Sequence, residues 1–180
     1  MTATILRRST FTAALACMLG LAAIAVAASN NTTVGTHSSK QGKILANAKG
    51  FSLYNFAKDT QGVNGKQAKS TCYGHCAQVW PPLLVKGRGK PVAANRSGVN
   101  SKLLGTVRRK DGTVEVTYNG WPLYTYVPDK KPGDTVGQNV NQFGAKWYLL
   151  KANGSVIKPG GNSCPPGYMM TSSGCLPQTY

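Results

Sequence analysis

Two stretches of the chain, Ser52-Leu-Tyr-Asn-Phe-Ala-Lys-Asp59 and Pro122-Leu-Tyr-Thr-Tyr-Val-Pro-Asp129, share one frame: Leu, Tyr, any residue, an aromatic, two further residues, then Asp. The frames lie 70 positions apart. A fixed-period echo of this kind marks a domain assembled from two copies of one supersecondary unit, so the structural role of the first copy is expected of the second. The shared positions are mostly apolar or aromatic, which constrains architecture more than chemistry.

Each frame reads as a strand running into a turn. In extended backbone, side chains alternate between faces, so Tyr54 with Phe56, and Tyr124 with Tyr126, are expected on one face, with Leu53 and Leu123 on the other. Asp59 and Asp129 follow three residues after the second aromatic, where a carboxylate accepts backbone N–H bonds and shapes a turn. Two readings follow for the set Tyr54, Phe56, Asp59, Tyr124, Tyr126 and Asp129. The rings are core and the carboxylates lock turns, or the set is a ligand surface on which rings stack against a sugar or apolar group. Trp80 and Trp147, 26 and 23 residues after Tyr54 and Tyr124, are expected in equivalent core positions.

The fold class is all-β, with antiparallel strands and hairpins from two fused repeats forming a small sandwich or barrel-like body. Ile44-Leu45 and Phe51 to Phe56 predict a strand pair turned at Asn47-Ala-Lys-Gly50. Lys110-Asp-Gly112 and Asn119-Gly120 are strong hairpin signals, and they predict a three-stranded meander over residues 103–126. Within it Val114, Val116 and Tyr118 alternate with Thr113, Glu115 and Thr117, the pattern of a sheet with one wet face. Residues 146–150 and 155–158 add short strands, and no ten-residue helical period is present. The polar stretch up to Gly42, rich in Ser, Thr and Asn, is expected as a mobile leader over 28–42. His37 lies within it. The repeats are placed at about 43–100 and 101–158, followed by a cysteine-stapled tail over 159–180.

These residues carry a resemblance. Gly50-Phe-Ser-Leu-Tyr-Asn-Phe-Ala-Lys-Asp59, Thr71-Cys-Tyr-Gly-His-Cys-Ala77 and Trp80-Pro-Pro-Leu83 form its first part. Leu104-Gly-Thr-Val-Arg108, Val116-Thr-Tyr-Asn-Gly-Trp-Pro-Leu-Tyr124, Asp129, Pro132-Gly-Asp-Thr135, Gly137 and Trp147-Tyr148 continue it. The chain resembles a bacterial secreted repeat family, described as predicted lipoproteins with a YxFxxD-type motif, over about residues 42 to 152. The resemblance implies a class and an exported location. It implies no reaction, because the family has no established role.

The N-terminus agrees with export. Arg7 and Arg8 precede an apolar run of about 16 residues that ends at the small-x-small signal Ala25-Val-Ala27, so residues 1–27 read as a signal peptide cleaved near Ala27. No transmembrane span is expected after processing, and the location is periplasmic or secreted. The mature chain carries Lys+Arg 19 against Asp+Glu 5, a net charge of +14 once Arg7 and Arg8 are removed. Spread along the sequence without one long block, these cations make either a solubilising surface or an attraction to an anionic envelope polymer or lipid headgroups. No specific recognition of nucleic acid is expected, and the oligomeric state is left open.

Four cysteines remain after processing, Cys72, Cys76, Cys164 and Cys175. In an exported chain an even number implies disulfides, and 72 with 76 plus 164 with 175 is the nearest-neighbour pairing. The loop Cys72-Tyr-Gly-His-Cys76 also admits a redox pair, or a metal or haem site using Cys72, His75 and Cys76. A periplasmic redox or metal-handling protein is therefore the alternative function. His75 lies between the cysteines, so the order of a haem attachment motif is absent. Met169-Met170 and the oxygen-rich 129–139 stretch give no complete copper or calcium ligand set. No paired-carboxylate, Ser/His/Asp or zinc constellation has recognisable spacing, so no catalytic residue, metal ligand or cofactor is assigned. The sequence reading is a non-enzymatic binding or structural protein.

Overall fold

Asn119 and Gly120 carry φ of 47° and 75°, the two positive values that a type I′ turn requires. In the computed structural model, which describes Met1, residues 30–159 and the backbone of 168–171 and 174–177, this turn closes the expected meander. Its strands are β5 (Leu104–Arg108), β6 (Val114–Tyr118) and β7 (Trp121–Pro122), hydrogen-bonded in that order. The other elements in chain order are β1 (Thr32–Ser39), β2 (Gly42–Asn47), β3 (Tyr54–Phe56), the short helix α1 (His75–Val79), β4 (Pro91–Ala93), β8 (Asn141–Gln142) and β9 (Ala145–Leu149). A tail hairpin, β10 (Tyr168–Thr171) with β11 (Gly174–Pro177), completes the set. Three three-stranded sheets are ordered β2-β1-β4, β3-β9-β8 and β5-β6-β7. The fold is mainly strand, and the sheets do not close into a barrel.

The expected mobile leader is corrected. Thr32–Ser39 forms β1, antiparallel to β2 and parallel to β4, with Val34 fully buried and His37 hydrogen-bonded to Ser52 Oγ at 3.1 Å. Its Thr, Ser and His side chains read as loop, but the backbone bonds to β2 do not depend on them. The hairpin β1–β2 is the counterpart of β5–β6, so the first repeat begins before residue 43.

The meander also departs from expectation on its polar face. Glu115 is 0 % exposed and Thr117 is 4 % exposed, so both faces of β6 are covered. Asn47 behaves as its sequence predicts: its side-chain oxygen accepts from Lys49 and Phe51 N–H groups and its carbonyl accepts from Gly50, turning β2 toward β3.

Two apolar clusters lie on opposite sides of the motif strands. One holds Tyr54, Phe56, Tyr124, Trp80, Trp147 and Leu149, with Tyr126 packed against it. The other holds Leu53, Leu123, Val34, Leu45, Val116, Tyr118 and Leu150. This is the alternation expected of the repeated frame.

Candidate functional site

The two motif strands meet at their tyrosines. Tyr54 and Tyr124 form an antiparallel bridge, and around it the contacts of one repeat are matched by those of the other. On one side β3 pairs with β9, setting Phe56 opposite Trp147. On the other, Tyr124 pairs with Pro82, which sets Tyr126 opposite Trp80. Ala57 N–H donates to Lys146 O at 2.9 Å, and its counterpart Val127 N–H donates to Val79 O at 3.0 Å. Leu53 N–H donates to Leu45 O while Leu123 N–H donates to Val116 O, each at 3.0 Å. Each tryptophan segment thus pairs with the motif strand of the other repeat. The repeats are interlaced.

The rings follow the same crossing. Phe56 stacks on Trp147 at 4.1 Å, Trp147 on Trp80 at 4.0 Å, and Trp80 on Tyr126 at 3.8 Å, with interplanar angles of 9°, 4° and 19°. Tyr54 meets Trp80 edge-on at 5.4 Å, and Tyr124 meets Trp147 edge-on at 5.1 Å. Offset stacks and edge contacts of this kind stabilise beyond the area they bury. Gly137 has no room for a side chain: an added Cβ would lie 2.8 Å from Trp80 and 2.9 Å from Tyr54.

The motif carboxylates complete the exchange. Tyr54 Oη donates to Asp129 Oδ2 at 2.8 Å, and Tyr124 Oη donates to Asp59 Oδ2 at 2.7 Å. The other oxygen of each carboxylate takes a local backbone N–H, from Val136 for Asp129 and from Thr71 for Asp59. Burial pushes both carboxyls above their ordinary range, opposed by these same bonds. Burial also raises both phenols, so the tyrosines act as donors. Each Asp side chain bonds to the loop that follows its motif strand, at Thr71 for Asp59 and Val136 for Asp129, and also ties its repeat to the other. With Tyr54, Phe56, Asp59, Tyr124 and Asp129 all buried and Tyr126 half-covered by Trp80, these groups contact one another rather than an open groove.

Sequence reasoning missed a buried ion pair that joins this network. Arg109 is 3 % exposed; its Nη1 donates to Glu115 Oε2 at 2.7 Å and to Ser70 Oγ, and its Nη2 donates to Cys72 O at 2.6 Å. Ser70 Oγ lies 2.7 Å from Tyr124 Oη, so the chain runs from Glu115 through Arg109, Ser70 and Tyr124 to Asp59. The guanidinium also sits 4.4 Å over the Tyr73 ring. Burial raises the Glu115 carboxyl to about 8, outweighing the Arg109 beside it. Flanked by Arg108 and Lys110, Arg109 looks like surface charge in the sequence. The only signal was Glu115 itself, the single glutamate of the chain, set between valines.

Cys72 and Cys76 form the expected disulfide, with Cα atoms 5.3 Å apart and both residues buried. It anchors α1 beneath the ring stack. His75 is exposed on α1, against Phe143 and within 3.2 Å of Gln78 Oε1, so the loop does not gather His75 with two free thiols. The pairing of Cys164 with Cys175 and Met169-Met170 lie outside the described side chains.

The interlaced repeats decide the class. A family model described as a secreted repeat of unknown function matches residues 35–84 and 105–151. The chain belongs to this family of secreted repeats. The first match opens within β1 and ends after the Trp80 segment; the second opens within β5 and ends just past β9, so each secreted repeat is a hairpin, a motif strand and a tryptophan segment. No curated protein and no solved structure matches the chain. Among the described residues, no helix of this secreted repeat protein is long and apolar enough to cross a membrane.

Outside the network the surface opens into several clefts, two of which share Asn119 in their linings. The larger, about 570 Å³, lies between the 62–68 loop and β5 and includes Lys66, Lys102 and Arg108 in its lining, with no carboxylate. Gly120 builds one wall, because a Cβ there would collide with Gly62 O at 2.5 Å. The smaller, about 360 Å³, is lined by Asn55, Trp121, Tyr148 and Lys158 among others.

Proposed function

We propose that this secreted repeat protein is a non-enzymatic binding module that holds an anionic glycan of the cell envelope or exterior. The observation that carries the reading is a sorting of charge. From Lys40 to Lys158 the chain has nineteen lysines and arginines; eighteen are exposed and Arg109 is buried. Of its five acids, Asp59, Glu115 and Asp129 are buried, leaving Asp111 and Asp134 near the surface. Folding therefore leaves a surface balance of +16, above the +14 that the same stretch carries as a whole. The 570 Å³ cleft, with its lysines and arginine, is where a polymer chain has both charge and depth.

Retention of the folded protein on immobilised polyuronate, measured against rising salt, tests the reading. Strong retention at low salt that weakens steeply as salt rises is the expected result, since surface charges are screened over about 10 Å at 0.1 M salt. Failure to bind at low salt overturns it. Preferential binding to vesicles of anionic lipid would move the partner to a lipid surface, and shortening of the polymer would overturn the non-enzymatic part.

A further inference from the structure

The smaller cleft contains chemistry that a cationic exterior does not explain. Asn55 on β3 pairs with Tyr148 on β9, and both alternate away from the cluster that holds Tyr54, Phe56, Trp147 and Leu149. Asn55 is 1 % exposed, yet its side-chain oxygen has no hydrogen-bond partner in the protein. Buried amides are ordinarily paired, so an unpaired one in the lining of a cleft marks a place where a ligand donor fits. Trp121 and Tyr148, the aromatic residues of the lining, are both half-buried. Gln61 and Asn119 donate their amide N–H groups to Asn119 O at 2.8 Å and Gly154 O at 3.2 Å, which leaves their amide oxygens as acceptors. Lys158 adds one cation.

Aromatic residues beside several amide acceptors suit a pyranose, whose C–H faces stack on rings while its hydroxyls donate outward. We infer that this cleft is a subsite for one acidic sugar ring of a glycan. Trp121 and Tyr148 flank the ring, Asn55 accepts from a hydroxyl, and Lys158 meets the acidic substituent. Asn119 lines both clefts, so a chain seated here continues toward Lys66, Lys102 and Arg108. The acidic character of the ligand rests on the polyanion reading above. The stacked, hydrogen-bonded ring is the new element, and it does not depend on salt.

Titration of the full protein with galacturonic-acid oligomers and with neutral galactose oligomers, followed by calorimetry and by the Trp121 indole resonance, tests the subsite. The acidic oligomer is expected to shift the Trp121 signal, with part of its affinity surviving high salt. N55L, which removes the unpaired amide at similar volume, is expected to weaken binding at least tenfold without lowering the melting temperature. Y148A gives a second readout if N55L does not fold. Salt-sensitive binding that leaves Trp121 unmoved and is indifferent to N55L and Y148A overturns the subsite while sparing the polyanion reading. Absence of any acidic-oligomer binding overturns both, and tighter binding of the neutral oligomer overturns the acidic assignment.

Discussion

Tyr54 and Tyr124 exchange two backbone hydrogen bonds, each N–H donating to the other's carbonyl at 2.9 Å. Matched cross-repeat contacts surround that exchange: the phenol of each tyrosine reaches the aspartate of the opposite repeat, and each tryptophan segment pairs with the opposite motif strand. The YxFxxD frame is therefore the joint of the molecule.

Removing one phenol oxygen leaves a buried carboxylate oxygen without its donor. Tyr54→Phe and Tyr124→Phe are each expected to cost about 1–3 kcal/mol in chemical denaturation. Each change also removes a second bond of the phenol, the Gly137 N–H for Tyr54 and Ser70 Oγ for Tyr124. Two variants that match the wild type within a few tenths of a kcal/mol would show that the exchanged bonds do not hold the repeats together.

The Arg109–Glu115 pair is buried at both ends. Arg109→Met leaves Glu115 Oε2, Ser70 Oγ and Cys72 O without their donor in the interior and is expected to destabilise by about 3–5 kcal/mol. Combining it with Glu115→Leu should recover most of that loss, since apolar replacement of a whole buried pair is often near neutral. A double variant as unstable as the single one would mean the loss comes from the Ser70 and Cys72 contacts rather than from the unpaired Glu115 carboxyl.

The folded Glu115 carboxyl titrates near pH 8, well above its ordinary value of 4.5, because burial disfavours the charged form. The folded state thus holds a proton that the unfolded chain releases above pH 4.5, so stability contributed by this group falls as pH rises toward 8. Asp111, held below its ordinary value by its bonds to Thr113, acts only at lower pH. Melting temperatures are expected to be higher at pH 5 than at pH 8. A melting temperature that climbs from pH 5 to pH 8 would contradict the assignment, and Glu115→Gln should flatten the slope.

The Cys72–Cys76 disulfide closes a short loop, for which chain entropy gives about 2 kcal/mol. A Cys72→Ala/Cys76→Ala double variant should lose about that much and still fold, because the ring stack is built from other residues. Loss of the fold itself would show that the bridge organises α1 and Trp80 rather than bracing them.

Much of this was legible where a local rule decides the outcome. Asn119-Gly120 dictates its turn, and strand alternation separates Tyr54 and Phe56 from Leu53. The interlacing was not legible, because either motif strand satisfies the same pattern whichever tryptophan segment lies beside it. Strand β1 was hidden for a different reason: its pairing is made by backbone, and its Thr, Ser and His side chains carry the composition of a loop. Glu115 was hidden because a buried ion pair and a solvated polar face alternate identically along a strand. The cleft around Asn55 is assembled from four separate segments, so no window of sequence contains it.

The crossing of the tryptophan segments bears on how the chain can be divided. Because the Trp80 segment completes repeat 2 and β9 completes repeat 1, a lone repeat would present a slot shaped for the strand it has given away. It has one symmetric way to become whole, which is to exchange that strand with an identical neighbour about a two-fold axis. The full chain is then equivalent to such a homodimer with its subunits covalently joined through the 85–103 connection. Joining makes the assembly intramolecular, so it stays complete at any dilution, a useful property in a family of secreted repeats.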